Sequence, residues 1–123
     1  MKLIALISFL ISGFLNNFDV SEDVVVALKS GKSSELVKFF DERLTVKLID
    51  QEDLLSKSQA EANVKYFFEK HPVKNFTISH SNAVTKDVQF LTGTLETANG
   101  KYRVSVLLRR NLISQFRIEN ENE

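Results

Sequence analysis

The chain holds two histidines, two tyrosines and no cysteine, so few side chains can do chemistry near neutral pH. His80 has the most suggestive spacing. The stretch from Lys74 to Ser81 alternates as a strand, with Phe76, Ile78 and His80 on one face and Asn75, Thr77 and Ser79 on the other. A histidine on the apolar face of a strand can look into a pocket and serve as a general base. Tyr102 or Tyr66 is the phenolic partner such a site would use. A base also needs an orienting acid, and no carboxylate falls on an inward position. Asp41, Glu42, Asp50, Glu52 and Asp53 lie in connections, Asp87 at a strand start, Glu96 on a solvent face and Glu119 at the tail. An isomerase or hydrolase-like enzyme built on His80 with Tyr102 or Tyr66 therefore stands second to a non-catalytic reading.

The remaining polar motifs read as structural. Asp50-Gln51-Glu52-Asp53 lacks the glycine and the closing glutamate of a calcium loop. Arg109-Arg110 is far short of a nucleic-acid footprint. His71, ahead of Pro72 at a helix end, complements the helix dipole. Without cysteine, and with only two histidines, a metal centre is not expected, and four glycines leave little room for a nucleotide loop. No cofactor is implied. Sixteen basic and sixteen acidic side chains cancel, so no net field draws nucleic acid or an anionic membrane.

Positioning these groups falls to a hairpin folded at Asn99-Gly100, the dipeptide that favours a type I′ turn. A two-residue turn there predicts Leu95 opposite Val104, Gly93 opposite Val106, Leu91 opposite Leu108, and a Glu96–Arg103 pair on the wet face. The inward face then carries Leu91, Gly93, Leu95, Thr97, Tyr102, Val104, Val106 and Leu108. The last strand, Ile113 to Glu119, follows by one of two turns. A two-residue turn at Arg110-Asn111 turns Ile113, Gln115 and Arg117 inward. A three-residue turn pairs Val106 with Phe116 and Val104 with Ile118, which burial favours.

Upstream, residues 1–17 read as a signal peptide: Lys2, then an apolar run from Leu3 to Leu15 too short to span a bilayer. Ser21 caps a helix with Val24, Ala27 and Leu28 in its stripe, and Gly31 ends it. Ser33 or Ser34 opens a second helix carrying Leu36, Phe39 and Phe40. Leu44 to Ile49 reads as a strand and Asp50 to Ser56 as a polar connection. Ser58 to Glu61 reads as a capping box for a helix reaching Lys70, with Ala60, Val64, Phe67 and Phe68 inward and Tyr66 off that face. Residues 18–119 thus make one domain, with 120–123 a frayed tail.

The order α-α-β-α-β-β-β-β gives an α+β fold, a curved antiparallel sheet wrapped around N-terminal helices. With Phe39-Phe40, Ser58-Gln59-Ala60, Phe67-Phe68, Phe76 to His80, Gly93-Thr94-Leu95, Gly100 to Val104 and Ile113 to Ile118, it resembles the nuclear-transport-factor-2-like (cystatin-like cone) superfamily. More closely it is similar to a family of small exported bacterial proteins of unknown function, mainly of Bacteroidota. It departs from that pattern in carrying Ser81-Asn82 where a glycine is expected soon after His80. The resemblance implies a cone fold and an exported, periplasmic or extracellular protein; it implies no reaction. The expected pocket lining is Phe67, Phe76, Ile78, His80, Leu91, Leu95, Tyr102, Val104, Val106 and Leu108. The expected partner is an apolar small molecule or an envelope protein bound at the cone or sheet face, with a homodimer through Phe90 and Leu107 as a further option.

Overall fold

The computed structural model describes residues 20–122; the segment read as a signal peptide lies outside them. Helix α1 spans Val20–Ser30, with Val24, Ala27 and Leu28 buried at i, i+3, i+4 spacing. Ser21 is the buried second residue of this helix rather than its cap. Gly31, at φ 67°, ends it. Helix α2 is one turn, Ser33–Leu36, extended by a 3-10 turn at Val37–Phe39. Strand β1 then begins at Phe40, earlier than expected, and runs to Leu48.

The stretch read as a polar connection pairs instead as strand β2, Gln51–Ser56. Its exposed residues hide the strand from a hydrophobicity reading, because β2 is an edge strand whose residues Gln51 to Leu54 are exposed on both faces. Helix α3, Lys57–Lys70, is capped two residues earlier than predicted. Ser56 Oγ accepts from the Gln59 amide at 3.3 Å, and Gln59 Oε1 accepts from the Ser56 amide at 3.1 Å. This box uses Gln59, not Glu61, as its third helical residue.

Strands β3 (Val73–Ala83), β4 (Val88–Thr97), β5 (Gly100–Arg109) and β6 (Leu112–Asn120) form the meander. The α+β order holds with β2 added to it: helices, two strands, helix, then four antiparallel strands. The sheet order is β2-β1-β6-β5-β4-β3, antiparallel except where β1 runs beside β6. One face is wet. The other packs on the helices around Phe40, Leu44, Val64, Phe76, Phe116 and Ile118.

The turn predicted as type I′ at Asn99-Gly100 lies one residue earlier, at Ala98-Asn99, with Thr97 opposite Gly100. Tertiary bonds explain this. The Ala98 amide donates to Pro72 O at 2.9 Å, and the Asn99 side chain is engaged elsewhere, so Gly100 alone takes positive φ, 138°. The register moves by two residues: Leu95 faces Tyr102, Gly93 faces Val104 and Leu91 faces Val106. A shift of two preserves the faces, so the predicted inward set is retained, while the Glu96–Arg103 pair is lost. Glu96 faces Lys101, and Arg103 turns to Glu119.

The type I′ pattern belongs to the next turn, where Arg110 and Asn111 stand at φ 52° and 67°. Both turn schemes for the last strand are partly realised. Arg109 pairs Leu112 across a two-residue turn, a bulge at Ser114 adds one residue, and Val106 then pairs Phe116 and Val104 pairs Ile118. Ile113, Phe116 and Ile118 are all fully buried as a result.

A second bulge, at Ser79 between Ile78 and His80, sits opposite Gly93 and Thr92. Gly93 lets the strands close in as the sheet bends: a Cβ there would lie 2.4 Å from both Phe76 Cζ and Thr77 O. Gly93→Ala therefore costs about 1–3 kcal/mol by overpacking, read as a lower urea midpoint; an unchanged midpoint would show that the bend does not depend on this contact.

On the wet face Glu119 gathers three cations. Lys47 Nζ is 2.7 Å away, Arg103 3.6 Å and Arg117 4.0 Å, and Arg117 also reaches Glu52 at 3.0 Å. The Lys47 hydrogen bond holds the Glu119 carboxyl below its ordinary value of 4.5. Its stabilisation is therefore present above that value and is lost as pH falls through the lowered one. Glu119→Gln should cost about 1 kcal/mol at neutral pH and leave variant and parent converging in acid. Equal stability at neutral pH would show that the network contributes nothing to folding.

Candidate functional site

Pro72 sets the site's geometry. It cannot donate an amide bond, and it pushes the preceding residue out of the helical region. His71 accordingly sits at φ −127°, ψ 75°, as the C-cap of α3, with its amide donating to Phe67 O at 2.8 Å. That backbone places the imidazole against the Phe67 ring, centroids 4.3 Å apart and 27° from parallel. Tyr102 closes the cluster edge-on, 5.2 Å from His71 and 5.5 Å from Phe67.

The turn between β4 and β5 reaches this cluster through Asn99. Its Nδ2 donates to Lys70 O at 3.1 Å, satisfying a carbonyl at the C-terminus of α3. A carbonyl only accepts, so the amide orientation is determined, and Oδ1 is the arm that faces His71 Nδ1 at 2.7 Å. Oδ1 can only accept in turn. Nδ1 therefore carries the hydrogen, and Tyr102 Oη, 3.2 Å away, is a weaker second acceptor for it. In the neutral ring Nε2 keeps the lone pair. Thr97 buttresses the arrangement, its hydroxyl 3.0 Å from Asn99 Oδ1 and 2.7 Å from Gly100 O.

His71 stands on the wall of a cleft of about 450 Å³ between the β1–β2 hairpin and α3. The strands contribute Val46, Leu48 and Leu55 to an apolar floor, with Gln51 and Asp53 at the rim. From α3 come Asn63, Tyr66, Phe67 and Lys70, spaced i, i+3, i+4, i+7. Lys70 Nζ lies 4.7 Å above the Tyr66 ring. Among the described residues no group of three or more His, Asp or Glu side chains could hold a metal ion, and no helix is long and apolar enough to cross a membrane.

A family model described as a domain of unknown function, DUF4783, matches residues 21–120. The chain belongs to the DUF4783 family. A DUF4783 protein from Bacteroides uniformis is 32% identical, with 85% of this chain and 100% of that one aligned at a TM-score of 0.80. One from Bacteroides ovatus is 33% identical over 82% of this chain and 94% of its own, at 0.76. An NTF2-like protein of unknown function from Cytophaga hutchinsonii, 12% identical over 81% of this chain and 85% of its own at 0.60, shares the fold alone. No curated protein matches.

In this DUF4783 chain the expected pocket residues divide into three groups. Phe76, Leu91, Leu95, Val104, Val106 and Leu108 are inward as read, but at 0–2% exposure they pack the core and line no part of the cleft. Only Phe67 lines it, with Tyr102 contacting Phe67 and His71 behind it. Ile78 is 41% exposed and His80 is exposed. The bulge at Ser79 breaks the period-two pattern, so His80 pairs with Thr92 on the outer face and does not share the face of Phe76.

His80 is therefore not brought together with either tyrosine. Tyr66 belongs to the cleft and Tyr102 to His71. Phe90 and Leu107 lie on the outer face, as read, and the shifted register sets them opposite each other across β4 and β5.

In the sequence His71 shows only as a dipole complement at a helix end. Its partner Asn99 is 28 residues away, and no local spacing announces that contact. The α3 stripe from Asn63 to Lys70 was legible, but it was masked by the apolar stripe that shares Phe67. Asn99→Ala should lower stability by about 1 kcal/mol, since it uncaps α3 where water can partly compensate. Urea unfolding reads this, and an unchanged midpoint would show the bridge to be idle.

Proposed function

We propose that this chain is a non-catalytic domain that binds an apolar small molecule in the cleft between the β1–β2 hairpin and α3, and that it acts outside the cytoplasm after export. The observation that carries the binding reading is the cleft's composition: an open apolar floor of Val46, Leu48, Leu55 and Phe67 beneath a polar rim. A concave apolar surface with a few placed polar groups is the usual form of a ligand site. Its volume falls in the lower part of the ~300–1,000 Å³ range of such sites. The apolar run after Lys2 supports export.

The orienting partner of His71 supports the non-catalytic part. Asn99 fixes the tautomer but brings no negative charge to stabilise an imidazolium. The imidazole is thus oriented with Nδ1 donating to the turn and Nε2 as its acceptor nitrogen.

Nile red supplies the test, because it fluoresces on entering apolar surroundings. The protein should enhance and blue-shift its emission. Leu55→Lys, on the floor, should weaken binding at least ~10-fold, the change expected when an apolar site receives a charge. Leu54→Lys, at a side chain 60% exposed and outside the cleft lining, should leave it unchanged. No enhancement by the parent protein, or equal binding by both variants, would overturn the reading.

A further inference from the structure

The ligand's chemistry follows from which nitrogen of His71 is free. We infer that the cleft recognises a planar apolar molecule bearing a neutral hydroxyl, of the phenol or enol class, whose O–H donates to Nε2 of His71. This rests on the cleft being the binding site.

Three observations select that class. First, Nδ1 is committed to the turn by Asn99, whose orientation Lys70 O fixes. Nε2 is then the acceptor nitrogen of a ring that lines the cleft, and among the described residues the ring's hydrogen bonds run through Nδ1. A ligand without a donor leaves that lone pair unpaired once water is displaced.

Second, the ring is held rigidly. It stacks on Phe67, meets Tyr102 edge-on and is tied through Nδ1, so the acceptor is fixed in place before a ligand arrives. With Tyr66 on the same helical stripe, the wall beside it is aromatic and suits a planar body.

Third, the Lys70 ammonium, seated over Tyr66, disfavours a cationic donor beside His71. Asp53, at the rim, disfavours an anionic one. A neutral hydroxyl meets neither objection. It also suits an acceptor oriented by an amide, because no proton has to be transferred.

The test compares 2-naphthol with 2-methoxynaphthalene, two probes with the same aromatic body, by isothermal titration at mildly alkaline pH. The parent protein should bind the naphthol about ten-fold tighter, the change that one retained hydrogen bond supplies. His71→Phe, which keeps an aromatic ring against Phe67, should bind both probes equally. Asn99→Ala should reduce the preference toward unity by releasing the tautomer, and the His71 ring ¹⁵N resonances report that release directly.

Equal affinity of the parent for both probes would overturn the inference and leave the cleft reading standing. Binding of neither probe, together with no Nile red response, would overturn both. Tighter binding of 2-naphthoate than of the naphthol would replace the hydroxyl with an anion held by Lys70.

Discussion

The carboxamide of Asn99 joins two parts of the molecule that are far apart in sequence, the end of α3 and the β4–β5 turn. One arm caps α3 at Lys70 O, and the other orients His71 and meets Thr97. These bonds dock the β4–β5 turn on the end of α3. With the Ala98 amide tied to Pro72 O, the turn adopts the conformation that sets the register of β4 and β5. The same side chain thus fixes a strand register, ends a helix and selects the tautomer of a histidine. A local turn preference for positive φ at Asn99 yields to these tertiary bonds.

Curvature is the second constraint. Bulges at Ser79 and Ser114, and the bare backbone of Gly93 under Phe76, bend the meander over the helices. The inner face closes on its own side chains, and the interior of the cone is filled with Phe, Leu, Val and Ile. Space remains on that same face at the β2 edge of the sheet, where the short β2 strand and α3 diverge around Val46, Leu48 and Leu55. Packing therefore moves the candidate site from the centre of the cone to its mouth.

What the sequence made legible is what period and local chemistry encode. The faces of β4 and β5 were readable because a two-residue slip leaves side-chain parity intact, and the α3 core stripe was readable from its spacing. Bulges were not. One extra residue at Ser79 reverses the face of everything beyond it, which put His80 on the wrong side. Strand β2 was hidden by being an exposed edge with acidic residues. His71 was hidden because its significance lies in one contact with Asn99 across 28 residues. The alternation that singled out His80 and the helix end that dismissed His71 are both local readings, and the site depends on a non-local one.

Asn99 fixes His71 as the Nδ1–H tautomer and leaves Nε2 open as an acceptor. Long-range ¹H–¹⁵N correlation spectra of the histidine rings in the ligand-free native protein, recorded at mildly alkaline pH, test it directly. The expected spectrum shows a protonated Nδ1 and an unprotonated Nε2 for His71, with His80 averaging between tautomers as an exposed ring does. A protonated Nε2 at His71, or the same averaging there as at His80, would contradict it.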